Sequence, residues 1–206
     1  MKKRITLFLF SITIILTSCA TGYKSIDPEK LNYNSVNSND GMILSYKYGL
    51  LDKKYFRKEK NNKLKLVAIK ITNTTNKSIV FGNDIKLCYE SGSELYLHDN
   101  DYLFKTLKQS PASHLLYLLL SPLKFYTYST NQYGQQVENS SFPIGVFVGP
   151  GIATGNIITA AKANSKFKKE LMQYNISGQT IKSGETVYGL VGFNATSYDA
   201  LKLKTN

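Results

Sequence analysis

Hydrophobic and polar positions alternate through much of this chain, and the alternation predicts strands. Met42 to Tyr48 places Met42, Leu44, Tyr46 and Tyr48 on one side and is closed by Gly49, as a half-buried strand requires. Leu64 to Ile71 is the strongest strand signal. Leu64 and Leu66 share one parity, and Ile69 and Ile71 share the other, so the phase slips near Val67-Ala68. A bulge there, or a central strand covered on both faces, accounts for the slip. Asn73 to Lys77 is a turn by composition, followed by short strands at Ser78 to Phe81 and Asp84 to Tyr89. A turn at Glu90 to Ser93 leads into a strand at Glu94 to Leu97. The same pattern returns late, with a turn at Ile181 to Glu185 and strands at Thr186 to Phe193 and Ala200 to Lys204. Leu50 to Asn62 is charged and reads as a hairpin tip or an exposed edge. Short strands separated by turns at this spacing predict an antiparallel β-sandwich.

Between the two β regions the period changes. Asp101 to Gln109 has helical spacing at Leu103, Phe104 and Leu107, and Ser110-Pro111 reads as an N-cap with proline at the first helical position. Ala112 to Leu120 follows, nearly all apolar, and Pro122 ends it. Ser129 to Ser141 is a polar loop. Phe142 to Ala161 holds no charged residue but is interrupted by Pro143, Pro150 and four glycines, and Lys162 to Tyr174 continues as an amphipathic helix. The expected organisation is therefore mainly β, with an α-helical insertion at about 101–175 inside a single domain of residues 41–206.

The chain begins differently. Lys2, Lys3 and Arg4 precede an apolar run from Ile5 to Leu16 that is too short for a finished membrane span, and Thr17-Ser18-Cys19 follows. This order describes an export signal. Residues 1–18 would be the signal, and the polar, Asn- and Ser-rich stretch 19–40 a lipidated tether leading into the fold. Removal of the signal lowers the formal charge of +12 to about +9 and leaves 188 of 206 residues, enough for one ordinary domain. The remaining basic excess is scattered, which fits solubility and protection of strand edges. An exported protein meets no ordinary nucleic acid, so anionic lipid, acidic polysaccharide or peptidoglycan would be its counter-charge.

Leu16-Thr17-Ser18-Cys19 resembles the lipobox of bacterial lipoproteins, and the Lys, Asn, Ile and Tyr bias resembles lipoproteins of AT-rich Bacteroidota. The resemblance implies an acylated Cys19 as the first mature residue. Position 20 is Ala rather than Asp, and no acidic run follows the cysteine; together these imply an outer-membrane anchor facing the periplasm. Leu64 to Leu97 with Gly184 to Phe193 resembles the immunoglobulin-like modules of envelope lipoproteins, an architectural likeness that carries no activity.

Candidate chemistry is sparse. There is no Gly-x-Ser-x-Gly elbow and no His-Glu-x-x-His helix, and the two histidines, His98 and His114, show no ligand spacing. His98-Asp99-Asn100-Asp101 reads as a polar turn in preference to a metal loop. Cys88 lies in an apolar strand and reads as a buried thiol. No catalytic residue, metal or cofactor is assigned. Tyr46, Tyr48, Tyr89, Tyr96 and Tyr188 suit cross-strand packing or a glycan- or peptide-contacting face. The remaining candidate is the glycine-spaced segment 142–161. Gly145, Gly149, Gly151 and Gly155 with Ile152 and Ile157 form a possible membrane or partner contact, and Gly151, Gly155, Thr159 and Ala163 would share a helix face. It either packs on the domain, dips into the membrane interface or mediates self-association. The expected function is a non-enzymatic, lipid-anchored envelope protein acting as an interaction or structural module. Its partners would be the membrane through Cys19 and an envelope protein or a second copy. The alternative is a membrane-inserted assembly or pore component built on 142–161.

Overall fold

The structure, a computed structural model, describes residues 19–206; the expected signal, residues 1–18, lies outside the described residues. Among the described residues the chain is mixed, with eleven strands in antiparallel sheets and three α-helices. It divides into two compact units. One contains residues 19–22 and Gln109–Ala163, and the other Tyr23–Lys108 and Asn164–Asn206.

The larger unit is built on a five-stranded sheet. Its strands are β1 (Ser35–Asn39), β2 (Met42–Lys47), β3 (Leu64–Asn73), β6 (Leu97–His98) and β10 (Thr186–Asn194), in the order β1-β2-β3-β10-β6. Shorter pairs are β4 (Ile79–Val80) with β9 (Thr180–Ile181), and β5 (Ile85–Tyr89) with β11 (Leu201–Thr205). β1 and β2 are joined by Asp40-Gly41, with φ of 49° and 73°. Positive φ at both central residues is what a type I′ hairpin needs, and Asp-Gly supplies it at low cost. This hairpin lies partly within the stretch read as a tether, which also holds a 3₁₀ turn at Pro28–Lys30.

β3 is central and pairs with β2 and β10 in continuous register, so its phase slip is no bulge. Val67, Ile69 and Ile71 join a core with Leu44 of β2, Leu87 of β5 and Leu203 of β11. Leu64, Leu66 and Ala68 are buried as well, on the opposite parity. That second face receives helices. α1 (Lys53–Asn61) stands in place of the hairpin tip or exposed edge expected over Leu50 to Asn62. Its lysines hide an i, i+4 pair, Tyr55 and Glu59, that is buried. α2 (Asn100–Leu107) buries Leu103 and Leu107, as its spacing predicts. Leu103 closes on β10 at Gly192, where a Cβ would meet its Cδ1 at 2.8 Å.

α3 (Gly145–Gln173) begins in the other unit, and its residues from Asn164 onward belong to this one. Here Phe167 packs with Tyr23 and Tyr55 at ring-centroid distances of 5.3 and 5.1 Å. Glu170 accepts hydrogen bonds from the Tyr23 hydroxyl (2.6 Å) and the Ile26 amide (2.8 Å), and Tyr55 donates to Asn164 Oδ1 (2.9 Å). Burial, reinforced by the Glu170 bond, pushes the Tyr23 phenol well above its ordinary range. The tyrosines expected in strands mostly pack. Tyr46 and Tyr48 meet edge-to-face at 5.9 Å, and Tyr48 and Tyr89 both approach Phe193. Tyr96, beside β6, is exposed.

The insertion is not purely helical. Pro111–Leu120 is a 3₁₀ helix, and the region read as a polar loop is a hairpin of β7 (Phe125–Thr130) and β8 (Gln136–Phe142). Its turn is tied by Asn131, whose Oδ1 accepts from the amides of Tyr133 and Gln135, with Gly134 at a φ of 75°. Pro143 precedes α3, but Pro150 lies inside it. Pro150 removes the hydrogen bond to the Val146 carbonyl and crowds that carbonyl with its ring, yet α3 continues through it.

Candidate functional site

The unit of residues 19–22 and 109–163 gathers the residues singled out in the sequence. Its centre is a crossing between the 3₁₀ helix and the first turns of α3. A 3₁₀ helix has three residues per turn, so positions three apart line up. His114 and Tyr117 accordingly form one buried line, with their rings stacked at 8° between planes. Leu115 and Leu118 form a second line and Leu116 and Leu119 a third, both exposed. The helix thus turns its aromatic line inward and two leucine lines outward.

The four glycines of the candidate segment separate into two pairs. Gly145 and Gly149 are buried at the crossing. A Cβ at Gly145 would run into the carbonyl oxygens of Leu120 and Ser121, and one at Gly149 would sit 2.8 Å from the Tyr117 carbonyl oxygen. The Gly145 amide donates to the Leu123 carbonyl at 2.9 Å. These two positions admit glycine because backbone meets backbone there. Gly151 and Gly155 face open space, with nothing within 4 Å of where a Cβ would stand. The expected ridge of Gly151, Gly155, Thr159 and Ala163 is therefore not a single environment. Its first three members are exposed and Ala163 is buried, whereas Ala153 and Ala160 make the buried side of the helix. Ile152 and Ile157 are half-buried. No helix among the described residues is long and apolar enough to cross a membrane.

Cys19 belongs to this unit and is exposed. Its Sγ lies 3.8 Å from the Tyr117 hydroxyl. The next two residues are held firmly. The Ala20 amide donates to Asn156 Oδ1 on α3, and the buried side chain of Gln109 grips Thr21 from both ends. Gln109 Oε1 accepts from the Thr21 amide at 3.1 Å, and its Nε2 donates to the Thr21 carbonyl at 2.7 Å. Nothing in the sequence around Gln109 announced that role, because the amide pairs with backbone 88 residues away.

The larger unit has a cavity of about 270 Å³ lined by His98, Asp99, Asn100, Asn175 and Ser177 over an apolar floor. Several of its polar groups serve the fold. Asp99 caps α2 by accepting from the Tyr102 amide at 2.7 Å, Asn100 donates to the Leu171 carbonyl, and His98 Nε2 pairs with Asn194 Oδ1 at 3.1 Å. Among the described residues, no group of three or more His, Cys, Asp or Glu is placed to hold a metal ion. Cys88 is buried, and burial raises its thiol above the ordinary value. Compared with known protein families, characterised proteins and solved structures, the chain matches none.

Proposed function

We propose that this is a lipid-anchored cell-envelope protein, acylated at Cys19, that works as a non-enzymatic interaction or structural module. The observation that carries the reading is the placement of Cys19. The residue that ends the lipobox-like Leu16-Thr17-Ser18-Cys19 is exposed, and the residues just after it are hydrogen-bonded into a compact unit. An acyl chain on that sulfur would leave directly from the protein surface. The larger unit is read as an immunoglobulin-like sandwich, which is supported by the core shared between the five-stranded sheet and strands β5 and β11. An outer-membrane, periplasm-facing position and an envelope protein or a second copy as partner belong to the same proposal. Metabolic labelling of the full-length chain with a palmitate analogue tests it. Label is expected on the wild type and lost, with membrane association, in Cys19→Ala. A Cys19→Ala protein that stays labelled and membrane-bound overturns the anchor.

A further inference from the structure

Sixteen of the twenty-two large hydrophobic side chains that are exposed among the described residues lie within residues 109–163. The same fifty-five residues carry only three charges, on Lys124, Glu138 and Lys162. Exposed apolar side chains scattered singly need no explanation, but a concentration of this kind in a charge-poor unit marks a contact surface. The segments that carry part of it meet at Leu123. Leu116 and Leu119 lie on an outward line of the 3₁₀ helix, Leu123 follows, and Gly145 is bonded to Leu123. Phe142 and Phe147 stack on each other with centroids 5.8 Å apart.

What covers this region is indicated by where the chain in front of it ends. Cys19 is exposed, its Sγ lies 3.8 Å from the hydroxyl of Tyr117 on the same 3₁₀ helix that carries Leu116 and Leu119, and Ala20 and Thr21 are bonded to the same unit. With no tether between Cys19 and this unit, an acylated Cys19 would keep the unit at the leaflet that takes its acyl chains. We infer that the exposed apolar face formed by Leu116, Leu119, Leu123, Phe142, Val146 and Phe147 embeds in the interfacial region of the membrane leaflet that anchors Cys19. The inference rests on the lipid-anchor reading and deepens it: the acyl chains would hold the protein at the leaflet, and the apolar face would fix how this unit lies on it. The embedding is apolar, because the face has too little charge to be held by anionic head groups.

The chain contains no tryptophan, so single substitutions give unique fluorescent reporters. Leu119→Trp and Phe147→Trp replace side chains that are 76% and 65% exposed, and Val36→Trp, at a 66% exposed position on β1, is the reference. The lipidated full-length protein is reconstituted in phosphatidylethanolamine–phosphatidylglycerol vesicles with and without lipids brominated in the upper acyl chain. The two reporters are expected to emit at shorter wavelength and to lose most of their fluorescence to the brominated lipid, and Val36→Trp to do neither. High salt is expected to leave the quenching unchanged. Reporters that behave like Val36→Trp overturn the embedding. So does a blue shift without quenching, which means a second copy or another protein covers the face, and so does quenching abolished by salt. Palmitate labelling of the same samples separates the two readings. Labelled but unquenched protein overturns the embedding alone, whereas unlabelled protein overturns the anchor and the shared leaflet with it.

Discussion

Alanine substitution should split the glycines of α3 into two classes with opposite signs. At Gly145 the new methyl would sit 2.7 Å from the Ser121 carbonyl oxygen and 2.8 Å from the Leu123 amide nitrogen, both backbone atoms. Ordinary contact begins at 3.4 Å, so one backbone must retreat by several tenths of an ångström or more. Retreat would loosen the hydrogen bond from the Gly145 amide to Leu123. Overpacking typically costs 1–3 kcal/mol, and with backbone on both sides we expect the upper end, about 3 kcal/mol. At Gly151 there is nothing to hit, and replacing an exposed helical glycine by alanine should stabilise the helix by about 1 kcal/mol. Amide hydrogen exchange by mass spectrometry reads the local effect over Phe147 to Ile158. Protection should fall roughly a hundredfold in Gly145→Ala and rise roughly fivefold in Gly151→Ala, since 1.4 kcal/mol is about a factor of ten. If Gly145→Ala leaves protection unchanged, or Gly151→Ala lowers it comparably, the crossing at Gly145 is wrong. The outward glycines would then be the packed ones.

Two further expectations concern buried ionisable groups of the larger unit. Glu59 is 1% exposed; its Oε1 accepts from the Leu66 amide at 2.9 Å, while Oε2 has no hydrogen-bond partner among the described residues. Burial raises its pKa above the ordinary 4.5, against the opposing Leu66 bond and the Lys65 charge, so folding favours the protonated form. That contribution is complete below the unfolded-state pKa and is lost as pH rises through the folded-state value. Glu59→Gln should therefore gain stability relative to wild type as pH increases above about 4.5, measured by chemical denaturation; a difference that is flat with pH would refute the assignment. In a Cys19→Ala background, Cys88 should react with an aromatic disulfide reagent only on unfolding, because it is fully buried and its thiol is pushed up. Stoichiometric reaction in native buffer at the rate of an exposed thiol would contradict its position in β5.

The elements that the sequence shows clearly are those whose buried positions recur at strand or helix spacing, or fill a continuous apolar run as in β3. β2, β5 and α2 stand close to where alternation and helical spacing put them. α1 was obscured because only Tyr55 and Glu59 of its nine residues are buried, leaving the charged face to dominate the pattern. The Asp40-Gly41 hairpin signal is present, but it straddles the boundary at residue 40 between the expected tether and the expected domain. β7 and β8 carry no inside-outside alternation, since every residue in both is exposed, and only the Asn131-to-Gly134 turn betrays them. Of the candidate contact residues, the sequence marks glycine spacing but not which glycine meets backbone.

By itself, the order of residues determines that the chain is strand-rich, that its middle departs from the β pattern, and that its start resembles a lipoprotein signal ending at Cys19. Those properties are carried by neighbours along the chain. Tertiary structure alone decides that β3 is covered on both faces, that Gln109 grips Thr21, and that Gly145 packs while Gly151 does not. Each of these depends on a partner brought close by folding across tens of residues, and a one-dimensional pattern holds no information about which side of a helix another backbone will cross.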